Sequence, residues 1–191
     1  MPRIAPAAEP YEPHIAAELA RIMPPGRQPL VLFRTLARSP RVFAKLFAGG
    51  FLDKGPLSLR QRELLIHRTT ARLGCGCEWG VHAALFAARV GLTDAELAAT
   101  VRGPAAAVCS DAGERALLAL VDDLVDHRKI GEKTWTELTA HLDDPQILEA
   151  IAIVGYYHSI SFLCNGLELP LESYAARFPE IHPSSPCGHP D

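Results

Sequence analysis

Helix-opening signals recur along this chain at short intervals. Ser58 is followed three residues later by Gln61, and Thr93 by Glu96. In each pairing the two side chains reciprocally satisfy the first free backbone N–H groups of a helix. Asp111 with Glu114 has the same spacing ahead of "AGERALLALVDDLVDH". Ser39–Pro40 opens "PRVFAKLFAGGFL", Gly131 precedes "EKTWTELTAHL", and Asp144–Pro145 opens the longest apolar segment, expected to be helical to about Glu168. Gly74 and Gly91 stand where helices would stop. No segment alternates apolar and polar residues as a half-buried strand does, and no Asn-Gly or Asp-Gly hairpin turn occurs. The chain is expected to be all-α, with about seven to nine helices, short connections and a single domain over 1–191. Its core should span about 28–178, with proline-rich ends at 1–13 and 179–191 that wrap the surface or fray.

Composition fits this reading. A chain of 191 residues, 48% apolar and 21% charged, can bury a core of its own. A formal charge of −3 without a basic run argues against a nucleic-acid surface. No stretch approaches the ~18 uninterrupted apolar residues of a membrane span, and the N-terminus lacks a signal-peptide core, so a cytoplasmic protein without membrane association is expected. Five cysteines (75, 77, 109, 164, 187) are an odd set for a disulfide framework. No phosphate loop or dinucleotide fingerprint is present, and no cofactor is expected.

The chemistry concentrates around "GCGCEWGVH", residues 74–82. On the preceding helix Glu63 and His67 lie four apart, with Thr70 continuing their face. Cys75, Glu78 and His82 follow at spacings of three and four and form one stripe on the next helix. The short link at Gly74 makes the pair an antiparallel hairpin, which lets Glu63 approach that stripe. Cys75 would sit at a helix N-terminus, where free N–H groups favour a thiolate. The bland alternative is an exposed Glu78–His82 pair contributing a few tenths of a kcal/mol.

The run "ELLIHRTTARLGCGCEWGVHAALFAARVGLTDAEL" resembles the central motif of the carboxymuconolactone decarboxylase and alkylhydroperoxidase-D-like superfamily. From "MPRIAP" to "GYYHSISFLCNGLELPLE" the chain is similar to its longer single-domain members. The resemblance implies an all-helical bundle around the hairpin, assembled into a dimer, trimer or hexamer. The redox branch uses a Glu followed by Cys-x-x-Cys-x-x-x-His; Glu63, Cys75 and His82 match it, and Glu78 stands in place of the second, peroxide-attacking Cys. "EWGVH" instead resembles members without the cysteine pair.

The resulting expectation is an enzyme performing cofactor-independent acid–base chemistry, of decarboxylase, lyase or isomerase type, on a small organic acid or lactone. His82, Glu63, Glu78 and Cys75 are the catalytic candidates. Tyr157, His158 and Asn165 on the long helix, with His67, are the substrate-binding candidates, against the plainer reading of a buried polar network or subunit contact. The alternatives are a thiol peroxidase using Cys75 with Cys77 resolving, and a non-catalytic oligomer. A metal between Glu63/His67 and Glu78/His82 matches no strong signature, and none is expected. The apolar faces of "PLVLFRTLA", "RVFAKLFAGGFL" and 145–168 point to a homo-oligomer with the site near an interface. Trp79 reads as core, Cys164 as a small buried hydrophobe, and Cys109, Cys187, His182 and His189 as incidental.

Overall fold

The computed structural model describes residues 1–23, 26–51 and 53–179. The expectations for Cys187, His182, His189 and the tail from residue 180 fall outside the described residues. Ten α-helices and no strand occur among those described. They are α1 (Pro13–Ile22), α2 (Val31–Leu36), α3 (Pro40–Ala48), α4 (Leu59–Arg72), α5 (Gly76–Phe86), α6 (Asp94–Arg102), α7 (Ala105–Val108), α8 (Ala112–His127), α9 (Glu132–His141) and α10 (Asp144–Gly166).

The capping signals mark helix starts in the folded chain. Ser58/Gln61 and Thr93/Glu96 form complete capping boxes, and the Asp111 side chain accepts from the Glu114 amide. The count exceeds seven to nine because α1, α2 and α7 open at Glu12, Leu30 and Pro104, none of which makes a side-chain cap. Tertiary packing holds these short turns, which have no capping pattern to announce them. The long helix also starts one residue earlier than the Asp144–Pro145 pair suggests. Asp143 is its cap, boxed with Gln146, and Pro145 occupies the first turn, where no amide is needed.

The bundle is built around α4, which packs against α5, α6, α8 and α10. Every residue from Glu63 to Thr70 is buried. Leu65 and Ile66 join the main core with Leu117, Leu120 and Val121 of α8 and Ile153 of α10, while Leu64 joins a smaller cluster with Leu118, Leu92 and Val108. A helix enclosed on all sides must satisfy its polar side chains internally. Arg68 does so through Nε and Nη2 to the two Asp122 carboxylate oxygens, both at 2.8 Å, and through Nη1 to the carbonyls of Thr100 (3.0 Å) and Gly103 (2.9 Å). It thereby ties α4 to α8 and to the end of α6.

The α4–α5 hairpin turns at Gly74, whose φ of +63° is a left-handed conformation that glycine adopts without a Cβ clash. The Cys75 amide donates to Thr70 O (2.8 Å), and Asn165 of α10 donates to Leu73 O (2.9 Å), closing the free end of α4. On its far side α5 is covered by a C-terminal strap, residues 167–179. The Ala176 amide donates to Gly80 O (3.0 Å), and a Cβ at position 80 would run into the Ala176 carbonyl oxygen. Phe178 packs on Trp79 with ring centroids 5.1 Å apart, and Glu172 accepts from the Val31 amide that opens α2 (2.5 Å). By length and a mean hydropathy of 1.5, α10 could also cross a membrane; here its inner face packs against α4, α5 and α8.

Candidate functional site

The first turn of α4 and the last turn of α5 lie side by side because the hairpin is antiparallel. Glu63 and His82 meet across it. The His82 Nδ1–H donates to Glu63 Oε2 at 2.8 Å, with Glu63 fully enclosed and His82 only 4% exposed. The carboxylate therefore fixes which ring nitrogen carries a proton and leaves Nε2 facing the other way. There Nε2 meets the Tyr157 hydroxyl of α10 at 3.1 Å and the Glu78 carboxylate at 3.9 Å. Phe86, one turn after His82, stacks on the imidazole with centroids 5.2 Å apart. The second oxygen of Glu63 has no hydrogen-bond partner, and Arg62 Nε lies 3.9 Å from it.

Burial and charge set the proton affinities. Desolvation works against a charged His82, but the facing Glu63 carboxylate outweighs it and raises the imidazole above its ordinary value. Glu78 is raised by desolvation, opposed by His82 and assisted by Glu172 in the strap. Tyr157 is pushed far above its ordinary value, chiefly by burial and then by the Glu78 charge. The site therefore holds a carboxyl group that favours its protonated form beside an imidazole that also favours its proton.

Glu78, His82 and Tyr157 line a cavity of about 420 Å³ whose walls come from the end of α1 and from α2, α3, α5 and α10. Phe33, Phe47, Leu85, Phe86 and Tyr156 supply most of its apolar surface. A larger open groove of about 890 Å³ lies beside α1 around Tyr11 and Leu19; it shares Met23 with the cavity but is lined by none of Glu78, His82 and Tyr157.

The remaining candidates lie elsewhere. Cys75 is fully buried at the N-cap of α5, and its thiol faces Cys164 and Ser161 on α10. Contact with the Cys164 thiol lowers the Cys75 proton affinity against the effect of burial. Cys77 donates to Leu169 O at 3.0 Å, and its proton affinity is pushed up to about 11 by burial and the neighbouring Cys75. His67 sits behind the dyad, fully buried, with Nδ1–H donating to its own helix at Glu63 O (2.6 Å) and Nε2 without a partner. His158 turns to Val154 O at 3.3 Å and its ring meets Phe162, while Asn165 is exposed and closes α4. None of His67, His158 and Asn165 lines the cavity. Trp79 is core, its indole N–H donating to Thr100 Oγ1 at 3.2 Å. Among the described residues no group of three or more His, Cys, Asp or Glu is gathered as a metal ion would require. The sequence reading singled out none of the cavity phenylalanines; the i+4 spacing from His82 was a signal for Phe86, whereas Phe33 and Phe47 reach the cavity only through tertiary packing.

His67 carries a pH signature. Burial first, and the facing His82 second, push its imidazole down to about 4 from an ordinary 6.5. The unfolded chain takes up this proton near pH 6.5, whereas the folded one resists until about 4. The contribution is thus complete above pH 6.5 and is lost as pH falls towards 4, by about 3 kcal/mol. Urea unfolding of wild type and His67→Gln should show their stability difference shrinking across that window. A constant difference would mean that His67 is not held neutral.

A protein-family model described as "Carboxymuconolactone decarboxylase family" matches residues 38–123. Among solved structures, an uncharacterized peroxidase-related protein from Silicibacter sp. TM1040 superposes with a TM-score of 0.79 at 14% identity, over 93% of this chain and 96% of the other. An uncharacterized peroxidase-related protein from Ralstonia eutropha JMP134, described as an alkylhydroperoxidase AhpD core, gives 0.68 at 16% identity over 89% and 93%. A protein of unknown function from Agrobacterium tumefaciens gives 0.63 at 20% identity over 72% and 94%. No curated protein matches the sequence.

Proposed function

Starting from the membership of this chain in the carboxymuconolactone decarboxylase/AhpD-like superfamily, we propose that it is an enzyme of cofactor-independent acid–base chemistry, acting on a small organic acid or lactone. One observation carries the proposal: Glu63, His82 and Tyr157 form a continuous hydrogen-bonded row ending at the cavity floor beside Glu78. In this reading the protonated Glu78 carboxyl donates to a carbonyl oxygen and stabilises an enolate. His82, in its neutral form and with Tyr157 as its outlet, takes a proton from one carbon and returns it to another. Glu63 holds the imidazole in register and balances its charge. A decarboxylation or a double-bond shift uses the same parts, since each passes through an enolate that must be protonated on carbon.

The thiol reading has less support. Cys75 is fully buried among Cys164 and Ser161, outside the cavity, and Glu78 occupies the position where the redox branch carries its attacking cysteine.

Two assays on one preparation decide between them. Isomerisation of α-angelica lactone to its conjugated isomer, a shift of one proton between ring carbons, should be catalysed by wild type and by Cys75→Ser alike. Its rate should be bell-shaped in pH, rising as His82 gives up its second proton above the ordinary imidazole range and falling as Glu78 loses its own above the usual carboxylate range. Reduction of an organic hydroperoxide with a dithiol should stay near background. Peroxide turnover abolished by Cys75→Ser, with no lactone isomerisation, would reverse the assignment.

A further inference from the structure

The cavity also restricts the charge of what it can hold. Its side chains are overwhelmingly aromatic and aliphatic, and its floor is acidic, with Glu78 on the surface and Glu63 directly behind His82. The one positive charge of His82 is already matched by the Glu63 carboxylate at 2.8 Å. The guanidinium among the lining residues, Arg21, belongs to the rim. Its side chain is 63% exposed, and it donates to Glu18 at 2.9 and 3.0 Å. Arg62 donates through Nη1 to the carbonyls of Phe51 (3.3 Å) and Asp53 (3.0 Å), its Nε lies 3.9 Å from Glu63, and it does not line the cavity. Asp53 adds a further acid at the mouth, and Lys54 lies beyond it in an adjoining groove with Glu149. The residues outside the described set include no Lys or Arg.

A carboxylate entering this space would give up its water without gaining an unpaired cation in return. A neutral carbonyl compound would lose little, because its apolar body meets the phenyl rings and its oxygen meets the Glu78 carboxyl and the Tyr157 hydroxyl. At about 420 Å³ the cavity is at the small end of ligand sites, suited to one or two rings.

Resting on the acid–base reading above, we infer that the substrate is an uncharged lactone or unsaturated ketone bearing an apolar or aromatic group, and that the cavity rejects carboxylates of the same skeleton. This narrows the substrate class to the neutral side of the acid-or-lactone choice.

The test compares dihydrocoumarin with its ring-opened carboxylate, 3-(2-hydroxyphenyl)propanoate, by calorimetric titration into the full chain at neutral pH. The lactone should bind at least about tenfold tighter. Leu85→Arg, a half-buried position on the cavity wall, should bring a cation to the site and reverse or erase that preference. Equal or tighter binding of the carboxylate to wild type, binding of neither compound, or a preference that Leu85→Arg leaves untouched in a folded protein would each overturn the inference. Preferential lactone binding supports it even where α-angelica lactone is not isomerised. In that case the acid–base function fails and the charge selectivity stands.

Discussion

Exchanging His82 for glutamine is expected to slow lactone isomerisation by about 10²–10⁴-fold, the usual loss when a general acid–base group is removed. Glutamine can still donate to Glu63 and fill most of the imidazole volume, but it cannot carry a proton between Tyr157 and a substrate. Helix content and unfolding should therefore change far less than rate. His82→Ala separates the two roles. It leaves the enclosed Glu63 carboxylate with no charged partner at hydrogen-bond distance, so stability should drop by about 3–5 kcal/mol in addition to the lost rate. Glu63→Gln combined with His82→Gln should regain that stability without regaining turnover. Urea titrations and initial rates on the same samples measure both. A folded His82→Gln protein with unaltered rate would remove the imidazole from the chemistry.

A structural effect of the same size is expected at Arg68. Its guanidinium lies 5% exposed inside the bundle, held by both oxygens of Asp122 and by two carbonyls. Arg68→Met keeps the stem but leaves the α6 carbonyls and one face of Asp122 unpaired, and should cost about 3–5 kcal/mol in denaturant unfolding. Against a total stability of about 5–15 kcal/mol for a domain of ordinary size, that would bring the chain close to melting at physiological temperature. Arg68→Lys should recover little, since a single ammonium cannot span a carboxylate and two carbonyls at once. A loss below about 1 kcal/mol in Arg68→Met would show that the network is not a main tie between α4, α6 and α8.

How far the sequence reading reached depended on how local each feature is. Caps are local: Ser58 with Gln61 and Thr93 with Glu96 act within one turn, so they placed helix starts correctly. The same locality let the Gly74 link announce the hairpin, and the hairpin bring Glu63 towards His82. Spacing on a helix says which side chains share a face, but not what that face meets. Cys75, Glu78 and His82 share a stripe, yet the α5 N-cap turns Cys75 towards Cys164 while Glu78 and His82 open on the cavity. Likewise Tyr157 reaches His82, whereas His158 rotates about a hundred degrees further round the helix and leaves the site. Nothing in the residues around Arg68 marks it for burial. Its burial follows from α4 being surrounded, a property of the whole bundle.

The strap adds an order of events in time. Glu172 meets the Val31 amide across 141 residues, and Ala176 closes on Gly80 only after α5 is in place. A chain leaving the ribosome N-terminus first presents the residues of α4 and α5 before this segment has been made. Until it docks, the back of α5 is open to water and Glu78 lacks both the shelter of the strap and the neighbouring carboxyl that help keep it protonated. Docking of the strap is thus also the step that arms its acid.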